Sequence, residues 1–234
     1  MLARRRRYGE ARSLLTSLLA TEPDYHLARI RLGLLLGELR QTEEALSVLQ
    51  DAATDPQYEV RAHLALVEVH LGAGQVEQAV ARAQIAASAR PDAQTFAALS
   101  RAFLATGDAD KAETAANEAL EQDPLDPRAR VALGRALQAR GQPDEARKQA
   151  DRAVELDPYC VEALELSGAL WQEARDFRRC AESWQRALAL NPWHADLHRR
   201  LSDMLGPRLR DWTGTHEHHS KYVELERMRA EAAP

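Results

Sequence analysis

Lysine is almost missing from this 234-residue chain: Lys111, Lys148 and Lys221 are the only three, and every other cation is an arginine. Such a bias fits a GC-rich coding sequence, which also explains the abundant alanine. Cysteine is equally sparse. Cys160 and Cys180 form neither a CxxC pair nor a zinc-ligand spacing, so neither a disulfide framework nor a structural zinc site is supported. Aromatics make up 5% of residues. No apolar run approaches the roughly 20 residues needed to span a bilayer. A basic excess is lacking too: the net charge of −5 and pI near 5.9 argue against a general nucleic-acid binder. There is no phosphate-cradling glycine loop and no GxSxG, and no Cys–His constellation stands outside the pattern described next. An enzyme or a cofactor protein is therefore not the reading. A charged fraction of 29% beside 45% apolar residues is that of a folded chain.

What is present is a beat. Pro23, Pro56, Pro91, Pro124, Pro158 and Pro192 recur at steps of 33 to 35 residues. Ala11, Ala45, Ala79, Ala112, Ala146 and Cys180 keep the same step, at 33 or 34 residues. Two columns in phase at this period predict stacked helical hairpins. Residues 127–160 show the unit clearly. Val131, Leu133, Gly134 and Leu137 follow helical spacing, Gly141-Gln142-Pro143-Asp144 breaks it, and Ala146, Ala150, Ala153 and Leu156 form a second helix that Asp157-Pro158 closes. Small residues let the two backbones approach, and a bulky residue fills each hairpin: Leu36, His70, Phe103, Leu137 and Trp171. Trp171, Trp184 and Trp212 fall in core columns, which leaves Trp193 as the tryptophan open to exposure.

The Leu-Gly pair, the bulky residue three on, the small residue after the turn and the closing proline resemble the tetratricopeptide repeat. The match is fullest over 161–194, with Gly168, Trp171, Cys180, Trp184, Ala187 and Pro192 in place; it departs at Ser167, His70 and Ala150. The resemblance implies an all-α fold, a right-handed α-solenoid of antiparallel helix hairpins. Its register gives a half repeat at 8–25, full repeats at 26–59, 60–92, 93–126, 127–160 and 161–194, and a degenerate capping repeat at 195–229. Residues 230–234 are expected to form a disordered tail. The half repeat lacks its first helix, which favours a chain cut from a longer protein. It also leaves room for self-association through the N-terminal helix.

In such a superhelix the first helix of each hairpin, helix A, lines the concave surface. One stripe along these helices gives the candidate groove: Leu27, Ile30 and Leu34, then Arg61 and Leu64, then Gln94 and Arg101, then Arg128, Val131 and Arg135, then Glu162 and Glu165. It reads apolar first, positive in the middle and acidic last. Arg101, Arg128 and Arg135 are expected to converge on a carboxylate or phosphate. The lysine and asparagine clamp of chaperone-binding members is absent. The resulting expectation is a non-catalytic, cytoplasmic scaffold, without cofactor or bound metal, that holds a peptide or partner protein with acidic residues. Two alternatives stand: the repeat region of a larger enzyme or secretion assembly with its active domain upstream, or an anion or nucleic-acid binder using the arginine strip. Arg4 to Arg7 read as a solvated run. His216, Glu217, His218 and His219 form the densest ligand-like group, with His216 and His219 placed for one helix face, and His63, His70, His194 and His198 read as packing or surface positions.

Overall fold

The computed structural model describes the backbone of residues 2–232 and the side chains of residues 8–228. Among the described residues there are thirteen α-helices, one π-helical turn and no strand. Contacts divide the chain into two compact units. The first comprises residues 1–122 together with 228–234, and the second residues 123–227. The side chains of Arg4 to Arg7 lie outside the described residues.

The first unit begins with α1 (Leu2–Thr21), followed by three hairpins: α2 (His26–Glu38) with α3 (Thr42–Ala52), α4 (Glu59–Gly72) with α5 (Val76–Ala89), and α6 (Ala93–Ala105) with α7 (Ala109–Gln122). The second unit has α8 (Pro127–Ala139) with α9 (Pro143–Leu156) and α10 (Val161–Glu173) with α11 (Phe177–Leu190). It continues into α12 (Ala195–Met204), the π-helical turn Leu205–Leu209 and α13 (Trp212–Ala232), whose residues as far as Arg227 belong to this unit. Helix α13 thus runs through most of the stretch read as a tail, of which 233–234 lie outside the described residues.

Small residues sit where two helices of a hairpin cross. Ala45, Ala79, Ala112, Ala146 and Cys180 are all fully buried, as are Ala52, Ala86, Ala119, Ala153 and Ala187 one helical stretch later. The Cys180 thiol is pushed up to about 12 by burial, so it acts as a small apolar packing group. Large residues share the same core clusters: Leu36, Leu49 and Leu66 in the first unit, and Leu164, Trp184 and Leu201 in the second. His70, which departs from the repeat pattern, is buried with its Nδ1 2.7 Å from Gln75 Oε1, so its polarity is partly satisfied at the following turn.

Each hairpin turns through a residue in the left-handed region: Arg40, Gly74, Gly107, Gly141 and Arg175. There a backbone N–H reaches back to close the first helix, as Gln41 does to Leu36 O and Gln142 does to Leu137 O, both at 2.9 Å. Helix α6 starts with a reciprocal cap. Asp92 Oδ1 accepts from the Thr95 N–H at 2.9 Å, and Thr95 Oγ1 accepts from the Asp92 N–H at 3.1 Å.

Trp212 departs from its sequence reading. It is 66% exposed rather than buried in a core column. A π-helical turn follows α12 and ends with Arg210 in the left-handed region at φ 57°. Helix α13 starts at Trp212, as α11 starts at the equivalent Phe177, and one edge of the Trp212 ring meets Gly206 while most of it faces solvent. Trp184 is fully buried and Trp171 half-buried, the latter with Arg147 and Arg179 guanidinium carbons 5.2 and 4.5 Å from its ring centroid.

Candidate functional site

Residues three, four and seven apart share a helix face, and in the first unit this puts a continuous exposed strip on the A helices. On α2, Leu27 and Leu34 are half-buried on this face. On α4, Arg61 and Glu68 are exposed and flank the half-buried Leu64. On α6, Gln94 is exposed, with Ala97 and Arg101 half-buried beside it. Helices α2 and α4 touch, as do α4 and α6, so the three faces adjoin. Ile30 is a correction: it is buried in the core cluster with Leu36 and Leu49 and packs the fold instead of lining a surface.

The Arg101 guanidinium does not stand ready for a partner's carboxylate. It is bridged to Glu68 of the preceding A helix, and its Nε is buried without a hydrogen-bond partner. More than a third of each side chain in the bridge is exposed, so the pair itself contributes about 0.2–1 kcal/mol. Its stronger effect is on charge. The strip offers a neutral, charge-assisted bridge where the sequence suggested a bare cation.

In the second unit Arg128 is exposed near the start of α8 and Arg135 is half-buried two turns later. Val131 between them is buried, the second correction to the lining set. A step of three residues falls roughly 60° short of a full helical turn. That rotation places this position at the border of the face, buried at Ile30 and Val131 and half-buried at Leu64 and Ala97. Glu162 is exposed at the start of α10, and Glu165 is half-buried one turn on. Glu165 Oε1 accepts from His194 Nε2 at 2.9 Å, and its backbone oxygen accepts from the Trp184 indole N–H at 3.2 Å. Gln138 of α8 donates to Glu173 of α10. The A-helix faces are therefore laced by polar bridges between successive repeats. Gln138, Glu173 and His194 were not in the sequence-derived set. Their only sequence signal is complementary polarity about one repeat apart.

His194 also caps α12, its Nδ1 accepting the Leu197 N–H at 3.3 Å. The hydrogen bond to Glu165 raises its pKa, against the lowering effect of burial. A raised folded-state pKa makes a stabilising contribution that is complete below the unfolded value near 6.5 and disappears as pH rises through the folded value. Glu165→Gln, which keeps the hydrogen bond but not the charge, is thus expected to destabilise the chain more at pH 6 than at pH 8. Paired urea melts of the two proteins at both pH values check this, and the other histidines cancel in the comparison.

The histidine group near the C-terminus is arranged differently from the sequence reading. His216 is exposed, His219 stacks near Tyr222, and it is His218 that makes the inter-helix contact, its Nδ1 lying 2.8 Å from Nδ1 of His198. His198 Nε2 donates to Pro192 O at 3.1 Å, which leaves its Nδ1 as acceptor for His218. Burial lowers both pKa values, keeping the pair neutral. Among the described residues no group of three His, Cys, Asp or Glu side chains is placed to hold a metal ion. No described helix is long and apolar enough to cross a membrane.

Comparison with known proteins bears on this geometry at the level of fold. A search of curated proteins by sequence finds no match. Among solved structures, TTC0263, a thermophilic TPR protein of Thermus thermophilus, superposes with a TM-score of 0.65 at 20% identity, covering 75% of this chain and 96% of that one. Human IFIT1, solved as a dimer with PPP-AAAA, gives 0.70 at 16% identity; 96% of this chain is covered, and it spans 57% of that protein. PilF of Pseudomonas aeruginosa gives 0.59 at 20% identity, with 73% and 78% covered. The tetratricopeptide repeat family model matches residues 2–59, 64–127 and 97–159. With more than half of its residues matched, the chain belongs to the tetratricopeptide repeat family, and its fold is that of an α-solenoid of helix hairpins.

Proposed function

We propose that this chain is a non-catalytic scaffold that binds a peptide segment of a partner protein on the exposed faces of its A helices. Repeats of this family generally mediate protein–protein interaction. The observation that carries the reading is the strip on α2, α4 and α6. Half-buried Leu27, Leu34, Leu64 and Ala97 form a shallow apolar track, and exposed Arg61, Glu68 and Gln94 flank it. Apolar contact supplies affinity and the polar flank supplies register, the division of labour seen where peptides dock in grooves. With Arg101 held by Glu68, the favoured ligand is a mixed apolar and polar segment, not a purely acidic one.

The test uses peptides selected from a displayed random library against the intact chain. Leu64→Glu and Arg101→Glu are each expected to weaken binding at least tenfold, about 1.4 kcal/mol, with helicity and thermal midpoint nearly unchanged. The swap E68R with R101E rebuilds the bridge. Continued loss in the swap assigns Arg101 to partner contact, whereas recovery assigns it to shaping the strip. Unchanged affinity in both single variants would contradict the proposal.

A further inference from the structure

A second surface lies on the turns of the second unit, apart from the A-helix faces. The residue after the column proline is Leu125, Tyr159 and Trp193 in three successive turns, at 62%, 76% and 39% exposure. Each is fixed in the same way. The Leu125 N–H donates to Asp123 Oδ1 at 2.9 Å, the Tyr159 N–H to Asp157 Oδ1 at 2.9 Å, and the Trp193 N–H to Asn191 Oδ1 at 3.3 Å. The turn itself does not call for an apolar residue. Residues 55–57 of the first unit form it with Gln57, whose N–H donates to Asp55 Oδ1 at 2.8 Å, and the other first-unit positions are Asp24 and Asp92. Leu125 and Tyr159 are mostly in water, and Trp193, partly covered by Lys221, still leaves over a third of its side chain exposed at the same register position. Isolated exposed apolar residues are ordinary, but a repeated set of this kind marks an interaction surface.

The turns lie at one edge of the unit. Helices α8 and α10 pack against each other, and the starts of α10 and α12 are tied by Glu165 and His194. The turns are also stiff. Arg130 Nη2 donates to Pro124 O at 2.7 Å beneath Leu125, and Lys221 Nζ lies 4.9 Å from the Trp193 ring centroid. Pro192 and Lys221 further line a cleft of about 450 Å³ with Leu188 and His198, large enough for one anchoring side chain. Around the first two apolar residues the exposed carboxylates of the unit are Asp123, Glu155 and Glu162, of which Glu155 is bridged to Arg152, and Arg128 is the exposed cation near Leu125.

From this ridge and its rim we propose that the edge docks a second protein segment, one that carries large apolar side chains interleaved with lysine or arginine. Apolar residues meet Leu125, Tyr159 and Trp193, and the cations meet the carboxylate rim. This goes beyond the A-helix strip and does not depend on it.

Two synthetic peptide pools test the idea on the full chain by fluorescence anisotropy. Both contain Leu, Tyr and Trp at random positions, one mixed with Lys and Arg and the other with Asp and Glu. The cationic pool is expected to bind at least tenfold more tightly than the acidic pool. The triple variant L125S, Y159S and W193S is expected to lose that binding at least tenfold, and so is the charge variant E155K with E162K, which leaves the apolar residues in place. Leu64→Glu on the A-helix strip is expected to leave it unchanged. Equal binding of the two pools overturns the proposal, as does cationic-pool binding that both the serine and charge variants retain. Loss in Leu64→Glu with retention in the edge variants also overturns it, because the binding then belongs to the strip.

Discussion

Trp184→Ala is expected to destabilise the second unit by about 3–5 kcal/mol, the range for removing a large buried aromatic. The ring is fully buried, its N–H is satisfied by Glu165 O, and it lies against the bare backbone of Gly168. Truncation leaves a cavity between α10 and α11 that the hairpin cannot close. A Cβ at residue 168 would land on the same ring, so Gly168→Ala is expected to cost about 1–3 kcal/mol by overpacking. Trp212→Ala is the control. With most of its ring in solvent it is expected to change stability by less than about 0.5 kcal/mol. Urea unfolding followed by circular dichroism separates these outcomes. Equal effects of the two tryptophan substitutions would contradict the difference in burial between them.

In the first unit the corresponding lock is Leu49 against Gly33. Leu49 is fully buried, and a Cβ on Gly33 would come within 2.6 Å of its Cδ2. Leu49→Ala is expected to cost about 2–5 kcal/mol, and Gly33→Ala about 1–3 kcal/mol. The pair should not be additive. An alanine at 33 partly fills the space that the shortened residue 49 vacates, so the double variant is expected to lose less than the sum of the single losses. A double-mutant cycle on urea midpoints measures this directly. Strict additivity would mean the two side chains do not share a space.

The hairpins were legible because crossing helices impose a chemical demand that recurs at fixed spacing. Ala45, Ala79, Ala112, Ala146 and Cys180 are buried for one shared reason, and the sequence displays that reason as a column. Trp212 was not legible in the same way. Its assignment, with about one inserted residue allowed for, matched it to Phe177, and each does open its helix, but Phe177 is half-buried where Trp212 is mostly in solvent. The candidate strip was legible as a set of helix positions but not as a pattern of charge. Whether Arg101 is bare depends on Glu68 33 residues earlier, a relation that exists only once the two A helices lie side by side. The helical step alone also misplaced Ile30 and Val131, since the same border position is buried on α2 and α8 but half-buried at Leu64 on α4 and Ala97 on α6, a difference set by neighbouring helices. The exposed turn residues were missed for a related reason. Only Trp193 looked unusual alone, and Leu125 and Tyr159 gain meaning from sharing its turn geometry.

The most direct measurement of the central claim is a contact map of a bound ligand. A photo-crosslinking residue is placed at Leu34 or Leu64 on the A-helix strip, or at Ile85, which is exposed on α5, and the chain is irradiated with a library-selected peptide. Crosslinks at positions 34 and 64 with none at 85 are the expected result. Crosslinking at 85 with none at 34 or 64 would contradict the assignment of partner binding to the A-helix faces.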